Sequence, residues 1–174
     1  MTKVFFVSGA AGVGKSYFSK VLADEYELSI IDFDDTLDQL IQQFQNDYKE
    51  LGIEEFLAKY SQVRYEDLIS RALLLLDKGQ SIVITAPFTK QIGDQKLWEQ
   101  LIAPIKKYDP APLLYWVVAP DRLRGERIIQ RGQDRDLAKV SDIQTYLAAS
   151  KPTPPVVAHQ VIRADQGLIE QIKR

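Results

Sequence analysis

The 174 residues predict an α/β fold, a three-layer α/β/α sandwich on a five-stranded parallel sheet, and three observations carry it. Short apolar runs of β-forming residues alternate with longer stretches of helical periodicity along the chain. The first run, residues 4–7, passes through the glycine-rich stretch Gly9-Ala-Ala-Gly-Val-Gly-Lys-Ser16 straight into a helical pattern. The second run ends in the carboxylates Asp32, Asp34 and Asp35. In an open parallel sheet, ligands bind outside the carboxyl ends of the strands, where both features fall.

Val4, Phe5, Phe6 and Val7 read as a buried first strand, and Tyr17, Phe18, Val21 and Leu22 recur at helical spacing over about residues 15–26. The loop between them has the order expected of a phosphate cradle. Its backbone must turn several N–H groups towards a phosphate, and Gly9, Gly12 and Gly14 permit that turn, with Ala10, Ala11 and Val13 completing the ring. Lys15 can then lie against β- and γ-phosphates, Ser16 can ligate Mg²⁺, and the helix that begins with Lys15, Ser16 and Tyr17 offers its positive end. The stretch predicts binding of ATP or GTP.

Residues 28–31 form a second short strand ending at Asp32. Residues 35–50 and 53–78 are helical in period, broken near Gly52 and capped at Ser61, a helical insert over about 36–78. Gly79 closes that helix. Residues 81–86 read as the third strand, 93–107 as a helix and 113–119 as the fourth strand. Pro120 opens a helix at Asp121 that runs to about Arg131, a further helix covers 141–150, and the last strand spans 159–163. The proline-rich stretch of residues 151–155 reads as a rigid connection inside one domain that takes in residues 1–174.

Composition narrows the function. With 45% hydrophobic residues the chain can bury one proper core, and a net charge of −2 with a pI near 5.5 argues against polynucleotide as a main partner. There is no cysteine and a single histidine, His159, so a divalent metal would have to be held through oxygen. No apolar run approaches the roughly 20 residues that span a bilayer, and no signal-like N-terminus is present, so the chain reads as cytoplasmic with no membrane partner.

Two charged clusters are candidates for chemistry. A carboxylate among Asp32, Asp34 and Asp35 could orient Mg²⁺ or accept a proton from an attacking hydroxyl; alternatively Asp34 or Asp35 caps the helix that begins near Thr36. Three adjacent carboxylates repel one another, so the cluster points to a cation, with Lys15 and Mg²⁺ as partners. Downstream, Arg122, Arg124, Arg127, Arg131 and Arg135 crowd one segment, and Arg124, Arg127 and Arg131 share a helix face. They either pair with Asp121, Glu126, Asp134 and Asp136 as a solvated face or, beside a phosphate loop, stabilise a transferred phosphoryl group, with Arg131 and Arg135 preferred. Within the insert, Arg64 and Arg71 either hold an anionic acceptor or stand solvated, with Tyr60 and Tyr65 beside them at the core edge.

Over nearly its whole length the chain resembles the small P-loop kinases, the group of nucleoside monophosphate, shikimate, gluconate and dephospho-coenzyme A kinases. The phosphate loop carries that resemblance, and Asp32-Phe33-Asp34 is similar to the Asp-x-Asp in which acidic residues of several of these kinases serve metal and substrate. Pro120-Asp121 followed by Arg127 and Arg131 is similar to the lid entry of adenylate kinases, which implies that Arg127 packs on adenine and Arg131 faces phosphate. The resemblance further implies a short lid at about residues 132–139 with Arg135 as its closing arginine, and backbone contacts to adenine from residues 164–167. The chain departs from the pattern at Thr85, where many P-loop proteins place a metal-directing aspartate, and Asp32 is expected to take that role. The insert matches no acceptor signature.

The reading that follows is an ATP- and Mg²⁺-dependent phosphotransferase acting on a small metabolite or nucleotide. Lys15 neutralises phosphate, Ser16 and Asp32 serve the metal, Asp34 or Asp32 orients the acceptor, and Arg131 and Arg135 stabilise the moving group. A P-loop ATPase or nucleotide-dependent switch, a polynucleotide or toxin-type kinase, and a non-enzymatic nucleotide-binding module are the alternatives.

Overall fold

The computed structural model describes residues 2–132, 136 and 140–173. Five parallel strands form one sheet in the order β2-β3-β1-β4-β5, with β1 (Val4–Ser8) at the centre, β3 (Ile82–Thr85) and β4 (Leu113–Val118) beside it, and β2 (Ser29–Asp32) and β5 (Gln160–Arg163) at the edges. The helices are α1 (Lys15–Tyr26), α2 (Leu37–Gln43), α3 (Gln45–Lys59), α4 (Ser61–Asp77), α5 (Gln95–Ile102), α6 (Asp121–Arg131), α7 (Ile143–Ala149) and α8 (Leu168–Ile172).

Alternation along the strands divides the interior into two cores. Phe6, Ile82, Ile84, Leu114 and Trp116 face one side of the sheet, where Leu68, Ala72 and Leu76 of α4 and Trp98 and Ile102 of α5 cover them. Val7, Val83, Tyr115 and Val117 face the other side, where Phe18 and Leu22 of α1 and Ile172 of α8 close the layer. Because both faces are covered, these strands read as continuous apolar runs rather than as alternating ones.

Several boundaries differ from the sequence expectation. The helix expected over 93–107 stops at Ile102: Pro104 offers no N–H to continue the ladder, and the following residues turn, with the Ile105 N–H donating to Ile102. The long helix expected from 53 to 78 breaks again at Tyr60, whose backbone is non-helical, while the break at Gly52 is present as a kink with φ 73° inside α3. Ser61 is not a cap; it is the first residue of α4, and Tyr60 precedes it without a side-chain capping bond. Nor does an aspartate cap α2; Thr36 precedes it without a side-chain capping bond, its hydroxyl donating to Asp67 instead. The acidic residues are engaged elsewhere.

Candidate functional site

The loop between β1 and α1 folds as a cradle because two of its glycines lie where no side chain fits. A Cβ on Gly9, at φ 149°, would sit 2.4 Å from the Val117 carbonyl oxygen, and one on Gly12, at φ 79°, would sit 2.6 Å from that of Arg124. Lys15 folds back over the loop, its Nζ donating to the carbonyls of Gly9 (3.0 Å) and Ala10 (3.2 Å). No acidic residue stands in the first turn of α1, so its positive end is left for an anion.

Register places the carboxylates. Asp32 ends β2 directly beside Thr85 of β3, and its Oδ2 accepts a bond from the Ser16 hydroxyl at 3.2 Å. Thr85 is buried and its hydroxyl pairs with that of Ser19 at 2.7 Å. Burial first, and then the neighbouring charges of Asp34 and Asp35, raise the Asp32 pKa above the usual carboxylate value, against hydrogen bonds from the Asp34 N–H and Ser16 that lower it. Ser16 and Asp32 thus form a pair of hard oxygen donors of the type that could hold Mg²⁺. Among the described residues no three carboxylate or imidazole side chains converge into a closed metal cage.

The insert supplies the counter-charges. Arg64 of α4 is only 7% exposed; its Nη2 donates to the Phe33 carbonyl at 3.2 Å and to Asp34 Oδ1 at 2.9 Å, and its guanidinium lies 3.8 Å from the centre of the Phe33 ring. Arg71, about two turns further along the same face of α4, donates to the Asp32 carbonyl at 3.0 Å and meets Asp35 at 3.4 Å. Neither arginine is simply solvated, and the cation to which the acidic cluster points includes both of them. Tyr65 packs on Phe33 with ring centres 4.5 Å apart and accepts the Phe88 N–H at 3.0 Å; burial pushes its phenol up to about 12.

The arginines of α6 divide by depth. Arg124 is fully buried and ties the loop to two helices: it donates to the Ala11 carbonyl (3.2 Å), to Asp121 (2.8 Å), and to the carbonyl and hydroxyl of Ser150 (3.2 and 3.1 Å). Arg127 donates to the Val13 carbonyl at 2.7 Å and stands beside Gly14. Arg131 meets the buried Asp136 at 2.6 Å. Arg122 lies on the surface with Glu126. Arg135, and the lid read over 132–139 apart from Gly132 and Asp136, lie outside the described residues.

Two cavities open at the strands' carboxyl ends. The first, of about 200 Å³, is lined by Gly12, Gly14, Lys15, Ser16, Tyr17, Asp32, Asp34, Thr85, Arg127 and Arg131 among others. The second, of about 540 Å³, runs from Gly9, Ala10, Ala11 and Lys15 past Asp34 and Arg64 to Trp116, Tyr146 and residues 150–154. Lys15, Phe33, Asp34, Pro87 and Arg131 line both. That Leu57, Trp116 and Tyr146 line the second cavity was not legible in the sequence, where none of them belongs to a motif.

A family profile described as an AAA domain matches residues 4–153. The chain belongs to this AAA-domain family. Solved structures add its fold: a sugar kinase from Janibacter sp. superposes with a TM-score of 0.63 at 19% identity, over 99% of this chain and 91% of that one. A shikimate kinase from Bacteroides thetaiotaomicron gives 0.59 at 14% identity (98% and 94%), and a gluconokinase from Sinorhizobium meliloti gives 0.53 at 16% (99% and 87%). This AAA-domain protein therefore has the fold of the small P-loop kinases. No functionally curated protein matches it. Among its described residues no helix is long and apolar enough to cross a membrane.

Proposed function

We propose that this protein is an ATP-dependent phosphotransferase acting on a hydroxyl or phosphate of a small molecule, its chain forming one catalytic domain. The observation that carries the reading is the meeting of two cavities at Lys15, Asp34 and Arg131. A nucleotide seated on the phosphate loop directs its terminal phosphate to that junction, and hydrolysis alone would need no second cavity there. The solved kinases of like fold, a sugar kinase and a shikimate kinase among them, are in keeping with it.

Roles follow from which cavity each side chain reaches. Lys15 neutralises the β- and γ-phosphates from the junction. Asp34 borders both cavities, and Arg64, itself anchored by donating to the Phe33 carbonyl, fixes its carboxylate, so Asp34 is the group that orients an acceptor hydroxyl and takes its proton. Asp32 borders only the first cavity and with Ser16 would hold Mg²⁺, whose charge offsets that developing on the phosphate oxygens. Arg131 faces the transferred group, Arg127 the nucleotide and the loop that binds it, and Arg135 is assigned to closure over the site.

The test is Mg²⁺-ATP consumption by the purified protein across hydroxyl metabolites, nucleosides and nucleotides, with Lys15→Met as control. Lys15-dependent acceleration by an acceptor, falling at least about a hundredfold in Asp34→Asn while ATP affinity holds, is the expected result. Full transfer by Asp34→Asn would remove Asp34 from the base role. ATP binding that no acceptor turns into faster consumption would favour a nucleotide switch.

A further inference from the structure

We propose that the acceptor is a hydroxyl compound whose non-reacting part is an apolar or aromatic ring body, and that the second cavity is shaped to hold that body; the inference rests on the phosphotransferase reading above. The walls carry it. Phe33, Leu57, Ile92, Trp116, Tyr146 and Val156 come from separate parts of the chain and converge on this one space. Of its charged side chains, Lys15, Asp34 and Arg131 are shared with the first cavity, where the reacting hydroxyl belongs, Arg64 is bonded to Asp34, and Lys151 stands beside the prolines.

A polyol presents a donor and acceptor on each carbon, and every hydroxyl turned to an apolar wall gives up water without a partner. The side chains of the wall offer a polyol few partners: Thr89, Lys151, Thr153, the Tyr146 hydroxyl and the Trp116 indole N–H line the space, while the Ser150 hydroxyl is already bonded by Arg124 and Arg64 is engaged by Asp34 and the Phe33 carbonyl. An apolar ring loses nothing against such walls and gains burial, while its single hydroxyl reaches the carboxylate end. The space is also preformed. Residues 151–156 carry three prolines, and the Val156 N–H donates to the Ile92 carbonyl at 2.9 Å, fastening this wall to the opposite one. Trp116, beside Ser8 of β1, is packed in the core cluster and only 6% exposed, so its indole does not have to be ordered by the ligand.

The test uses the full chain, Mg²⁺-ATP and matched pairs that differ only in the ring body: phenyl β-glucoside against glucose, a purine nucleoside against ribose, and a phenyl-substituted propanediol against glycerol. Two quantities are read, Lys15-dependent ATP consumption and binding. The chain has two tryptophans, Trp98 packed in the core against Phe6 and Phe88, and Trp116 in the cavity, so Trp98→Phe makes ligand quenching a direct report from Trp116. Calorimetry on the unaltered protein gives the same comparison if that variant fails to fold. The expected result is a kcat/KM at least about tenfold higher for a ring-bearing member than for its bare partner, with Trp116 quenched, and a preference that shrinks in Leu57→Asp. Bare polyols that react as well or better overturn the acceptor class and leave the phosphotransferase reading standing. Ring compounds that bind at Trp116 yet never accelerate ATP consumption keep the ligand class and overturn the transfer. Neither binding nor acceleration by any ring-bearing member overturns the proposal.

Discussion

A guanidinium with no solvent exposure, Arg124, holds together three parts of this molecule that meet at the site. It bonds the Ala11 carbonyl in the phosphate loop, Asp121 at the start of α6, and Ser150 at the end of α7, just before the proline wall. Arg124→Met leaves buried carbonyls without donors and is expected to destabilise the fold by about 3 kcal/mol, read as a lower urea midpoint at unchanged m. A midpoint like that of the wild type would show that the loop and wall are held by other contacts. Asp32 makes the opposite case. Its folded pKa lies above its unfolded value, so the native state binds more protons between those two values, and stability without ligand falls as pH rises through that window. Asp32→Asn removes the charge and is expected to raise the melting temperature at pH 7, with the gap to wild type narrowing towards pH 4. A gap that is the same at both pH values would mean that the effect is not electrostatic.

At the scale of elements, the loop and the strand ends set the chemistry. Gly12 is held at a positive φ against α6, so an alanine there suffers both backbone strain and collision with the Arg124 carbonyl. Gly12→Ala is expected to weaken Mg²⁺-ATP binding at least about tenfold in a calorimetric titration, a change of ~1.4 kcal/mol. Unchanged affinity would show that the loop can move away from α6. The strands contribute by register: Asp32 reaches the site because β2 pairs with β3 so that it lies level with Thr85. That pairing was not visible along the chain, although Asp32 itself was. The helical insert was visible as helices, yet its division at Tyr60 and the inward turn of Arg64 were not, since an arginine at helical spacing reads the same whether it faces water or a carboxylate.

For the whole molecule, two cavities sharing one rim make ligand binding a global stabiliser. On the proposed function, Mg²⁺-ATP at a hundred times its dissociation constant would contribute about 2.7 kcal/mol to the folded state, a rise in melting temperature of roughly 5–10 °C for a chain of this size. Lys15→Met is expected to lose most of that shift, and a full shift in the variant would place the triphosphate away from the loop. The phosphate loop, the alternation of strands and helices and the acidic pair were legible in the sequence, because each is a local pattern: glycine spacing, hydrophobic period, adjacent residues. Sequence alone therefore determined the α/β class and the nucleotide-type loop, and put forward as candidates Lys15, Ser16, Asp32 and Asp34, which the structure gathers around one cavity. Tertiary structure alone decided that Arg64 pairs with Asp34, that Arg124 is buried under the loop, and that Leu57, Trp116, Tyr146 and Val156 enclose one space. Those relations join residues far apart in the chain, and long-range packing, which leaves no period or motif in the order of residues, is what creates them.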